Sequence, residues 1–140
     1  GVFGCNAVSI TFAGNFDIQG GTFSIVTTVA RTMTFRSGRS VSITTLLIGG
    51  GAAAGAGVGM TIQSDTPSSP FYLNYTGTAA NCKVFNTTFT DCDASGSSIP
   101  IDNWYGGTLT RCTNIRNYTS ANIGGGGHPI QGAFSEGAFR

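Results

Sequence analysis

The sequence predicts an all-β chain of stacked parallel rungs, and three observations predict it. Helix signals are nearly absent: Ala, Leu, Glu and Lys are scarce outside one Gly/Ala segment, and no helical apolar period persists for three turns. Apolar residues alternate with hydroxyl residues in run after run, which is the pattern of strands with one packed and one solvated face. Finally, residues 88–92 can be laid over residues 108–112 at an offset of 20. That offset pairs Thr88 with Thr108, Phe89 with Leu109, Thr90 with Thr110, Asp91 with Arg111 and Cys92 with Cys112. A period near 20 suits a parallel β-helix, in which each coil stacks like residues on like.

The strands follow in order. Residues 8–12 read V-S-I-T-F, 22–26 read T-F-S-I-V and 31–35 read R-T-M-T-F. The turn R-S-G-R at 36–39 breaks the alternation, and 41–47 (V-S-I-T-T-L-L) resumes it as one strand. Strands at 60–63 and 71–75 lead into the rungs at 82–115. The segment 49–59 (G-G-G-A-A-A-G-A-G-V-G) divides this series without changing its character, so it reads as an insert within one domain. The expected organisation is an N-terminal arm and first strand at 1–21, a β-helix-like domain at 22–117 and a Gly-rich C-terminal arm at 118–140.

Composition narrows the function. Charged residues are 9% of the chain and net charge is +1, so the polarity comes from hydroxyls and amides. No strong field opposes association with further copies. Arg31, Arg36 and Arg39 cluster among Thr and Ser without a basic run, which argues against nucleic acid as a partner. No apolar run approaches the length of a membrane span, so no membrane insertion is expected.

Cys5, Cys82, Cys92 and Cys112 form no C-x-x-C pair, and the single His128 lies in a Gly-rich tail, so no metal site or cofactor is expected. In the 20-residue register Cys92 and Cys112 are neighbours, and a disulfide between them is expected, with Cys82 as competitor. Cys5 is then left to bond another subunit. Four buried thiols acting as small apolar groups are the alternative.

The stretches T-F-R-S-G-R-S-V-S-I-T-T-L-L-I (34–48), M-T-I-Q-S-D-T-P-S-S-P-F-Y-L (60–73) and C-K-V-F-N-T-T-F-T-D-C-D-A-S-G (82–96) resemble a recurrent β-helix module. That module occurs in virion surface proteins of tailed phages and in secreted bacterial proteins. The resemblance covers roughly residues 34–117 and departs from the pattern at Cys92, Cys112 and the Gly/Ala insert. It implies a right-handed parallel β-helix and a homo-oligomer, a trimer, on a virion surface or in a secreted setting. The implied role is a capsid decoration (cement) protein, head fibre or tail-spike component that binds coat or fibre subunits.

No catalytic residues are expected. Asp91, Asp93 and Asp102 are the local acidic group, and β-helix proteins that act on polysaccharides use paired carboxylates near aromatics. A carbohydrate-binding or carbohydrate-cleaving reading would use Asp102 with Trp104 and Tyr105. Against it, Asp93 and Asp102 precede turn-rich text and are natural turn caps. A third reading is a bacterial adhesin or extracellular fibre subunit. Phe3, Phe134 and Phe139 lie among Gly and Ala at the chain ends, and the expectation is that they are intersubunit contacts on arms. Asn74, Asn86 and Asn117 each start an N-x-T triplet, which the abundance of Asn and Thr explains.

Overall fold

Period-two alternation makes strands, and the way apolar runs are interrupted decides where the chain turns. The computed structural model describes residues 2–4, 10–17, 21–27, 30–50, 59–105 and 107–118. Among these there is no α-helix, only a single 3-10 turn at Ala79–Asn81. The first coil of chain carries β1 (Val2–Gly4), β2 (Ile10–Phe12) and β3 (Phe16–Asp17). The second carries β4 (Thr22–Thr27), β5 (Thr32–Phe35) and β6 (Ser40–Ile43), and the third β7 (Thr45–Gly50), β8 (Met60–Ser64) and β9 (Phe71–Tyr75). The fourth carries β10 (Cys82–Phe85), β11 (Thr87–Thr90) and β12 (Cys92–Asp93). Then come β13 (Ile101–Trp104) and β14 (Leu109–Thr110), an isolated bridge between Asp93 and Thr113, and β15 (Ile115–Tyr118).

Every pairing between these strands is parallel, and they form three sheets visited in rotation. Sheet A runs β1-β4-β7-β10-β13-β15, sheet B runs β14-β11-β8-β5-β2, and sheet C runs β12-β9-β6-β3. Strands on both sides of the 51–58 segment belong to the same sheets, since β7 pairs with β4 and β10 while β8 pairs with β5 and β11. Phe89 is paired with Leu109 and Thr90 with Thr110, as the 20-residue offset predicts.

The interior consists of columns of apolar side chains. Ile10, Met33, Ile62, Phe89 and Leu109 stack in register along sheet B. Phe23, Leu46 and Cys82 stack along sheet A, and Val41 and Leu73 along sheet C. Met33 and Phe89 are fully buried. Burial of each such side chain contributes about 1.5–3 kcal/mol. Phe12, Phe35 and Phe71 form an aromatic stack where sheets B and C meet, with centroid separations of 4.7 and 4.9 Å.

Short corners let the coils close. Asn86, Asp91, Arg111 and Asn114 each stand between strands or bridges with φ between 45° and 59°. In this left-handed region Asn and Asp are several-fold enriched among non-Gly residues. Gly107 has φ of 95°, and a Cβ there would collide with the backbone carbonyl of Thr87. One local expectation changes. The run 41–47 is two strands, not one, because the chain turns a corner at Thr44 between β6 and β7. The turn at 36–39 joins strands of different sheets. It stacks on the next coil, where the Ser37 N–H donates to the Asp65 carboxylate at 2.8 Å and the Gly38 N–H to the Pro70 carbonyl at 2.8 Å.

Candidate functional site

The three acidic residues singled out from sequence do not converge. Asp91 lies at the corner between β11 and β12, buried, and accepts two hydrogen bonds from the Arg111 guanidinium, the longer at 2.8 Å. That guanidinium holds the Asp91 carboxyl below the usual carboxylate range; burial opposes the shift. Asp93 lies on sheet C and accepts the Ser95 backbone N–H at 2.9 Å, the turn-capping bond expected of it. Asp102 lies on sheet A and, in place of a turn cap, pairs with Arg116 at 2.7 Å.

Trp104 and Tyr105 lie beside each other with different exposure. Trp104 is 1% exposed and stacks on Tyr118 at 4.6 Å, so its ring face is covered. Tyr105 is half-buried and stacks on Phe85 at 6.1 Å. Register explains the cluster: Phe85, Trp104 and Tyr118 occupy one column of sheet A. Next to it, Asn103 is fully buried. Its side chain accepts the Thr87 N–H at 3.1 Å and donates to the Thr87 carbonyl at 2.6 Å and to Asn117 Oδ1 at 2.7 Å.

The cysteines correct an expectation. Cys82, Cys92 and Cys112 are free thiols, and no disulfide joins them. Cys92 and Cys112 are neighbours, since the Thr113 N–H donates to the Cys92 carbonyl. Both reach the core, but the Cys112 thiol is engaged by backbone carbonyls and not by Cys92. Cys92 is buried in the core cluster, whereas the half-buried Cys112 thiol donates to the Phe89 and Thr110 carbonyls at 3.3 Å. Cys82 lies in the column of Leu46. Burial pushes the Cys82 thiol up to about 12 and raises those of Cys92 and Cys112 as well.

Phe3 lies in β1, in register with Phe23 of β4. Cys5, His128, Phe134, Phe139 and the C-terminal arm lie outside the described residues. Among the described residues no group of three His, Cys, Asp or Glu side chains is placed to hold a metal ion, and no helix is long and apolar enough to cross a membrane.

The most regular surface is one that sequence reading only touched. The outward positions of sheet B form two columns. One contains Thr32, Thr61 and Thr88, continued by Thr108, whose N–H reaches Thr88 Oγ1 at 3.5 Å. The other contains Thr11, Thr34, Gln63, Thr90 and Thr110. All nine side chains are exposed or half-exposed, and Gln63 Nε2 donates to Thr34 Oγ1 at 3.3 Å. None of the nine is charged. Sheet A, by contrast, carries Lys83, Asp102 and Arg116, sheet C carries Asp17 and Asp93, and the remaining described charges lie at corners. The two Thr pairs of 88–90 and 108–110 were legible from the 20-residue offset; the rest required knowing which strands stack.

No family model, curated protein or solved structure matches the chain.

Proposed function

We propose that the chain is a right-handed parallel β-helix that serves as a non-catalytic structural module on a virion surface. In this reading it is a decoration, head-fibre or spike component that assembles as a homo-oligomer, a trimer, and docks on coat or fibre subunits. The observation that carries the reading is the cyclic three-sheet topology with unbroken side-chain columns. Such a stack is a stiff body in which each coil leans only on its neighbours, suited to display. Right-handedness follows from the strong chiral preference of crossovers between parallel strands of one sheet. The acidic side chains support a non-catalytic role, since Asp91 and Asp102 are each committed to an arginine.

The test has two parts. Native mass measurement of the full chain gives its assembly state, and binding to purified particles is compared with that of a chain truncated after Gly127. A trimer that binds particles through the deleted tail supports the reading. A monomer that is absent from purified virions and ignores them would sink it.

A further inference from the structure

The outward face of sheet B is unusual in three respects. It is a two-dimensional array: neighbouring strands of a sheet lie about 4.8 Å apart, and side chains two residues apart on one strand are separated by about 6.6 Å. Eight of its nine positions are Thr, and each of those eight presents a hydroxyl beside a methyl group. And it is neutral in a chain whose other two sheets both carry charges.

Each respect has a physical consequence. The β-branched Thr side chain has few χ1 choices, so the hydroxyls are held in place before anything binds. In-register ladders of like side chains are among the devices that keep a parallel sheet flat. A charged group would hold its own hydration shell and resist replacement of that water by a lattice. Water bridging neighbouring hydroxyls costs little extra entropy when those hydroxyls are already fixed. A soluble ligand with a few specific groups would be better served by a concave site with convergent polar atoms. A neutral, repeating array instead suits a partner that is itself neutral and repeating, and the ordinary spacings of a parallel sheet are of the order of the oxygen repeats on the prism faces of hexagonal ice.

We infer that the Thr face of sheet B, centred on Thr61 and Thr88, binds the surface of ice crystals through an ordered layer of water held between its two Thr columns. The inference does not rest on the virion reading, because it concerns the side of the coil stack and not the chain ends or the assembly state.

The experiment is thermal hysteresis and crystal shape, measured on the full-length chain in a nanolitre droplet as it is cooled below the melting point. The wild-type protein is expected to open a gap between melting and freezing points and to grow faceted crystals. Thr61→Tyr with Thr88→Tyr, placed in the middle of the array, is expected to abolish both effects. Thr61→Lys with Thr88→Lys provides a second pair of smaller steric demand and the same expected loss. Ser42→Tyr, an outward position on sheet C, is expected to keep full activity. Melting temperatures of all variants confirm that each is folded. A wild type that neither shapes ice nor shows hysteresis overturns the inference. Hysteresis that survives both double substitutions, or that Ser42→Tyr removes equally, also overturns it. Retention on insoluble chitin or cellulose without any effect on ice, lost in the same double variants, would assign the face to a crystalline polysaccharide instead. Self-association lost in those variants, again without any effect on ice, would assign it to a second copy of the chain.

Discussion

Asp91 and Arg111 occupy the same corner in successive coils, each with φ of 53°, and the buried carboxylate of the first takes two hydrogen bonds from the guanidinium of the second. The left-handed backbone suits Asp better than Arg. At Arg111 that conformation is accompanied by the pair itself, which fixes the side chain across the gap between coils. The two residues are 20 apart in sequence, the length of the coil that separates them.

Charge reversal tests whether this pair selects the register. Asp91→Arg alone and Arg111→Asp alone each leave two like charges at one corner and are expected to lower the melting temperature. The Asp91→Arg, Arg111→Asp double variant is expected to regain a large part of the loss. Thermal melts of the four proteins form a double-mutant cycle. A double variant no better than the sum of the singles would show that the two side chains act independently.

Acid should weaken the fold through the same corner. Arg111 lowers the Asp91 pKa, and the Ser37 N–H does the same for Asp65; burial opposes both shifts. A carboxyl whose folded pKa is depressed contributes its full stabilisation above the unfolded value and loses it as pH falls through the folded one. Stability is therefore expected to hold down to the ordinary carboxyl value of 3.8 and to drop below it. Melts in descending pH steps check this, and Asp91→Asn should show the shallower acid slope. Equal slopes for the two proteins would remove Asp91 from the explanation.

Asn103 bridges coils from inside, and its amide satisfies both backbone groups of the buried Thr87. Asn103→Leu keeps the number and branching of the side-chain heavy atoms and strips those partners. Leaving buried polar groups unpaired costs about 1–3 kcal/mol each. The substitution is expected to destabilise the chain by an amount in that range or above it, read from urea unfolding. A change near zero would mean that Thr87 finds other partners.

The thiols should differ in reactivity by position. In a Cys5→Ser background, the half-buried Cys112 is expected to react first with a thiol reagent in the native state. Cys82 and Cys92 are buried, with raised pKa values that keep them protonated, and should react only on unfolding. Counting modified thiols by intact mass, with and without denaturant, distinguishes the classes. Uniform modification of all three in the native protein would contradict the buried placement.

Much of the strand content could be read from sequence because alternation is a local signal. The runs at 22–26, 31–35, 60–63 and 71–75 became β4, β5, β8 and β9 with bounds shifted by a residue at most. The corner at Thr44 was missed, although its mark is present. Buried positions fall at Val41 and Ile43, then at Leu46 and Ile48, so the spacing jumps from two to three. The Thr array was harder to see. Thr11, Thr34, Gln63, Thr90 and Thr110 are separated by 23, 29, 27 and 20 residues, so no single period finds them. Exposure of Trp104 was beyond sequence reading altogether, since it depends on Tyr118 stacking over it from the next coil.

The unequal coil lengths have a consequence for how this chain can change over generations. Strands keep their register while the chain between them varies in length, as at residues 76–81 between β9 and β10. An insertion there lengthens a loop without shifting the side-chain columns, whereas one inside a strand would turn every following residue to the opposite face. Diversification is thereby channelled to the edges where the sheets meet. The faces between those edges change by substitution alone.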